Sequence, residues 1–309
     1  MAGEIVRRPD LEAAQVSYPD YIGTKVFPWL GRPQVAGSLY VQLVKDDISV
    51  QSGRNTANLA DINQNVIAGN SVNFNFVEKR ARVAMGYTER IAYSDEEHAD
   101  LAQGRLAKRA YFNAIDQACA EKVLKAAGAT DGTADPVATI DTNVSLLRDL
   151  GIGRVALVLS NHNKVLLKNN EVIRDRMKST GVGVYSLDDI RNLGDLQLAA
   201  ALGVDEILTG KDAIWYAGVA GASKDCAALV VLPEEYTEPA EEIQYGRLMY
   251  FMYTDSADDR FCMESWVNPV NDSYVVDCKG LIEIKEINPE LKKTIRIFNN
   301  NSDSVSASH

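Results

Sequence analysis

The side chains best able to do chemistry in this chain are three histidines, four cysteines and a few clustered carboxylates. His98, His162 and His309 stand far apart. No G-x-S-x-G elbow and no catalytic-cysteine signature accompanies them, so no nucleophile–base pair is indicated. Cys119, Cys226, Cys262 and Cys278 form no C-x-x-C pair, which excludes a zinc knuckle or a redox dithiol. They read as buried free thiols of a reducing compartment. Asp255, Asp258, Asp259 and Glu264 carry enough carboxylate for a divalent ion, but they lack the alternating Asp/Asn-Gly order of a calcium loop. A solvated turn is the better reading, and the pairs Asp46-Asp47 and Asp188-Asp189 read as turn or helix-start acids. Gly151-Ile-Gly153 and Gly181-Val-Gly183 have neither the third glycine nor the Lys-Ser/Thr that a phosphate cradle needs, so both read as turn glycines. Trp29, Trp215, Trp266, Tyr250, Phe251 and Tyr253 are not interleaved with basic residues as a single-strand stacking platform would be. The residues predict no catalytic centre, no cofactor and no metal.

Composition narrows the field further. At 309 residues the chain suffices for one large or two modest domains. Hydrophobic residues make up 46% and charged residues 24%, as in folded globular proteins. The net charge of −11 is opposite in sign to that of a general nucleic-acid binder. The opening MAGEIVRRPD lacks the apolar core of a signal peptide, and no apolar run is long enough to span a bilayer. The expectation is an intracellular protein with no membrane partner.

The elements that would position any site are organised around Ser94–Gly128. This stretch has no proline and one internal glycine, Gly104. Ser94 and Glu97 predict a capping box. Asp95, Glu96, Glu97 and Asp100 at the start, with Lys122 and Lys125 at the end, oppose the helix dipole. Gly128 is expected to supply a left-handed stop. At about 1.5 Å per residue the helix is roughly 50 Å long. Its apolar side is thin (Leu101, Leu106, Phe112, Ile115, Val123 and alanines), which suits a beam lying across a sheet.

Before the beam, residues 1 to about 30 have no clear period, with Pro9, Pro19 and Pro28. They read either as coil over their own domain or as an arm on a neighbour. Gln34–Val44 turns β-prone, Lys45–Ser71 is a long polar stretch, and Val72–Val77 alternates apolar with Asn, predicting a strand with one wet face. Two strands joined by so long an excursion predict an extended hairpin, unusual in a compact domain unless it rests on something outside. Arg82–Ala92 is expected as a strand feeding the beam. After it come a linker at Thr130–Pro136, helices at Asn143–Leu150, Ser160–Ser179, Ser186–Leu193 and Leu196–Ala201, and a buried strand at Val155–Leu159. Further strands are expected at Val204–Leu208, Ala213–Ala217, Ala227–Leu232, Leu248–Tyr253, Phe261–Val267, Tyr274–Asp277, Leu281–Ile287 and Thr294–Phe298. The tail from 299 is polar and of low complexity. Strands flank a helical middle, so the fold class is α+β.

Several stretches resemble the major capsid proteins of tailed bacteriophages. KVFPWLGRPQVAGSLY, ending at Tyr40, is similar to the entry from the arm into that family's extended loop. YTERIAYSDEEHADLAQG (Tyr87–Gly104) resembles the passage from the loop's second strand into the spine helix. VALVLSNHNKVLLKNNEVIRDRMKST (Val155–Thr180) and AALGVDEILT (Ala200–Thr209) are similar to later strand–helix passages. The resemblance covers about residues 20 to 298. It implies the Hong Kong 97-type capsid fold: N-terminal arm 1–33, extended loop 34–92, peripheral domain 93–184 with spine helix 94–128, axial domain 185–245, returning peripheral strands 246–298 and a flexible tail 299–309.

The function implied is a non-enzymatic shell subunit that assembles with copies of itself into an icosahedral head around double-stranded DNA. Its partners would be copies in hexamers and pentamers, a portal protein, and separate scaffolding or decoration proteins. Its place would be the virion, and the host cytoplasm during assembly. An encapsulin-type compartment is the alternative in the same fold, and an α+β hydrolase the alternative outside it. No long scaffolding-like segment precedes the arm, so scaffolding would be a separate protein, or this chain a processed form. Lys45 with Asn268 and Asn271 is a weak match to relatives that cross-link Lys to Asn; ordinary solvated roles suit these residues better. The expected assembly contacts are Phe27, Trp29, Tyr40, Lys45, Arg54, Phe74, Phe76, Glu97, Asp258 and Asp259. The hairpin cannot bury both faces on its own chain, so it should dock on a neighbour.

Overall fold

A computed structural model describes residues 5–13, 21–32, 38–40, 71–73, 76–93, 95–150, 153–179, 195–232, 245–251, 253 and 258–298. The chain forms two units, Met1–Leu39 with Asn73–Asp116 and Arg247–Lys285, and Tyr40–Val72 with Gln117–Gly246 and Glu286–His309.

The first unit is a helix packed on a six-stranded sheet. Its strands are β1 (Val6–Arg7), β2 (Trp29–Arg32), β5 (Val77–Gly86), β10 (Gly246–Phe251), β11 (Cys262–Asn268) and β12 (Ser273–Glu286), in the order β1-β11-β12-β10-β2 with β5 also on β12. β11 and β12 form an antiparallel hairpin from Cys262↔Lys279 to Asn268↔Ser273. β5 runs antiparallel to β12 from Ser273↔Gly86 to Ile282↔Val77. Two strands expected at Tyr274–Asp277 and Leu281–Ile287 are one continuous strand. Gly280 does not interrupt it, because that glycine leaves room for an aromatic ring instead. A Cβ there would lie 2.1 Å from the Tyr111 hydroxyl.

The long helix, α4, spans Glu96–Val123; residues to Asp116 belong to the first unit and the rest to the second. Its start is capped by Asp95, whose carboxylate accepts the His98 backbone N–H at 2.8 Å. The expected cap Ser94 lies outside the described residues. Gly128 does take the left-handed conformation, φ 81°, but the helix ends before it, and the Lys292 ammonium donates to the freed Lys122 carbonyl at 2.9 Å. The buried seam shares Ile115 and Val123 with the expected one, and Phe112 is buried beside it. It runs through Ala99, Gln103, Ala107, Tyr111, Ile115, Cys119 and Val123, each four residues from the last, while Leu106 is 46% exposed.

The N-terminal segment folds onto this unit. β1 pairs with β11 and β2 lies parallel to β10. Between them are two short helices, α1 (Pro9–Ala13) and α2 (Ile22–Val26). Leu11 and Phe27 are completely buried. Of the two readings open for this segment, the described residues adopt the one over their own domain. Before β5, Ser38–Tyr40 (β3) and Ser71–Asn73 (β4) pair as a separate two-stranded sheet. The polar stretch between them lies outside the described residues.

The second unit is a five-stranded sheet in the order β6-β13-β9-β7-β8, built from Thr130–Asp131, Lys292–Arg296, Cys226–Leu232, Arg154–Ser160 and Glu206–Gly210 respectively. β9 is buried at every position, as a central strand must be. Its helices are α5 (Pro136–Arg148), α6 (Asn161–Lys168), α7 (Glu171–Ser179), α8 (Asp195–Ala201) and α9 (Asp212–Trp215). The linker expected at Thr130–Pro136 instead supplies β6 and the Asp135 cap, which accepts from the N–H groups of Val137 and Ala138. The single helix expected over Ser160–Ser179 is two, because Asn169 closes one and Asn170 caps the next through Val172 N–H at 2.9 Å. Ala213–Ala217, expected as a strand, lies largely in helix α9. A five-residue apolar run has no period long enough to separate the two. Trp215 from this helix is fully buried and fills the space over Gly210, where a Cβ would sit 2.1 Å from its ring. The helix expected at Ser186–Leu193 lies outside the described residues.

Candidate functional site

The residues that sequence singled out for chemistry are dispersed. His98 is exposed at the start of α4 and pairs with Asp95 at 2.7 Å. His162 belongs to the second unit, where its ring lies tilted by 30° against Tyr216 with centres 4.3 Å apart and its backbone N–H donates to Asp212 at 2.7 Å. All four cysteines are buried free thiols. Burial pushes Cys226 and Cys262 up to about 11 and Cys278 well above its ordinary value, so these three are not held as thiolates. Asp258 chelates Arg260 at 2.5 Å, and Asp259 accepts from the Tyr250 hydroxyl at 3.2 Å. Burial raises the Asp258 carboxyl, but the Arg260 bonds outweigh it and hold it below the usual range. Among the described residues no three His, Cys, Asp or Glu side chains converge as a metal site. None of the helices they form is long and apolar enough to cross a membrane.

The polar groups that are buried tie elements together within the first unit. Glu12 accepts the Met263 N–H at 2.9 Å. Asp116 accepts the Gly23 N–H at 2.7 Å, at the start of α2. Gln103 donates to the carbonyls of Val83 (2.8 Å) and Tyr274 (2.7 Å), seating α4 on β5 and β12. Lys108 is 1% exposed. Its ammonium donates to the Glu12 carbonyl at 2.5 Å and lies 5.2 Å from the centre of the Phe261 ring. Burial pushes its pKa down. Sequence reasoning missed Gln103 and Lys108. The available signal was position: Gln103 lies on the Ala99–Ala107–Tyr111 row and Lys108 on the Gly104–Phe112–Asp116 row.

The expected contact residues divide three ways. Phe27 is completely buried in its own unit, a core residue with no surface to offer a neighbour. Trp29 is half-buried, edge-on to Tyr250 at 5.5 Å and to Phe112 at 6.3 Å, with Arg260 over its ring at 5.5 Å. Phe76 meets Phe251 edge-on at 6.4 Å. Tyr40 lies on β3. Glu97 is exposed on the first turn of α4. Lys45, Arg54 and Phe74 lie outside the described residues.

The described surface carries another feature that the sequence did not announce. At one end of the first unit, apolar side chains gather in the open: Val6, Tyr87, Ile91, Tyr93, Val267 and Val270. They come from β1, from helix α3 (Tyr87–Arg90) and the turn after it, and from the β11–β12 hairpin. In the same unit Arg90 lies 4.2 Å from the centre of the Tyr274 ring and pairs with Asp100 at 2.7 Å. Arg8 pairs with the same carboxylate at 2.7 Å.

No family model and no curated protein sequence matches the chain. Solved structures do. A phage-related protein from Bordetella bronchiseptica RB50 aligns with 95% of this chain and 98% of its own at 16% identity, with a TM-score of 0.66. The capsid of the cyanophage P-SCSP1u aligns with 93% of this chain and 92% of its own at 10% identity, with a TM-score of 0.52. Over nearly its whole length, then, the chain has the fold of phage capsid subunits.

Proposed function

We propose that this chain is the major capsid protein of a tailed bacteriophage, a structural subunit whose copies close an icosahedral head around double-stranded DNA. The observation that carries this reading is the likeness to a cyanophage capsid subunit over 93% of the chain. The dispersion of its titratable residues is consistent with a function spread over surfaces. In this reading the first unit belongs to the peripheral domain of the Hong Kong 97-type fold and the second to the axial domain, which would then begin at Gln117 and not at 185; α4 is the spine helix, and the stretch between β3 and β4 belongs to the extended loop. That loop docks on a neighbouring copy, where charges such as Lys45 and Arg54 set register more than strength. A portal protein and separate scaffolding or decoration proteins complete the head. The protein resides in the virion, and in the host cytoplasm during assembly. The net charge of −11 keeps packaged DNA from adhering to the inner wall; a strongly basic lumen in an assembled particle refutes that part.

Electron microscopy and sedimentation of the purified chain test the proposal. Closed shells or rings of five or six copies are expected. A stable, monodisperse monomer at assembly concentrations overturns it.

A further inference from the structure

We draw no further inference here: the strongest candidate, the side-chain cluster of the first unit in which Arg8 of the N-terminal segment and Arg90 of α3 both pair with Asp100 of α4, belongs to the packing already described and nothing in the structure shows it opening.

Discussion

Replacing Gly280 by alanine is the sharpest perturbation of how α4 seats on its sheet. The new Cβ would lie 2.1 Å from the Tyr111 hydroxyl oxygen, 2.8 Å from the Arg260 carbonyl oxygen and 3.0 Å from the Tyr111 Cζ. Real contacts do not reach the first two distances, so the strand or the ring must move. Tyr111 has little freedom. It is fully buried, edge-on to Phe112 at 5.4 Å and tilted against Phe261 at 6.0 Å. Overpacking costs about 1–3 kcal/mol, and with backbone as one of the clashing groups Gly280→Ala should lie near the top of that range.

The Tyr111 hydroxyl has no hydrogen-bond partner among the described residues, and burial pushes its pKa far up. Tyr111→Phe should therefore be neutral or stabilising by up to about 1 kcal/mol, because it deletes a buried polar group that gains nothing. The double variant should recover about 1–2 kcal/mol of the Gly280→Ala loss, since the closest clashing atom is gone and the carbonyl clash remains. Urea unfolding of the unassembled subunit, read as a shift in midpoint at constant slope, measures all three. A Gly280→Ala variant within about 0.5 kcal/mol of the parent, or additive losses in the double variant, would refute the packing account.

Other outcomes can be checked in the same preparations. Burial raises the Glu286 carboxyl, but hydrogen bonds from Lys292 at 2.6 Å and from Tyr245 outweigh it and hold it below the usual range. Its folded pKa is thus depressed, so the stability it contributes is present above the ordinary glutamate pKa and is lost as pH falls through the folded value. Lys292→Met should cost about 1–2 kcal/mol near neutrality and move the acid-unfolding midpoint upward; an unchanged midpoint argues against this pairing. Asp277 is 1% exposed and takes two bonds of 3.1 Å from Arg82, with Arg80 at 3.5 Å. Asp277→Ala should loosen β5 at a cost of about 2 kcal/mol, seen as faster hydrogen exchange of the β5 amides; parent-like protection contradicts it. Deleting Lys45–Ser71 should spare subunit folding by circular dichroism and abolish assembly. Normal particle yield from the deletion removes the docking role of that stretch.

Much of this protein was legible from local pattern. The long helix was announced by its acidic start and by the lack of proline. β7 and β9 were announced by unbroken apolar runs. Such features are encoded within a few residues of one another, so a one-dimensional reading reaches them. What the sequence could not decide depends on partners distant along the chain. Leu106 looked like core, yet lies half in solvent, while Gln103 and Lys108, which local pattern did not single out, are buried, because strand carbonyls and Glu12 receive their donors. Gly280 looked like a break between strands and is instead the space for a ring from α4. The apolar end is the clearest case. Val6, Tyr87 and Val270 are each unremarkable where they stand, and only the registers of β1, β11, β12 and β5 bring them to one edge. Val6 and Ser265, 259 positions apart, become neighbours through strand pairing that no local period records.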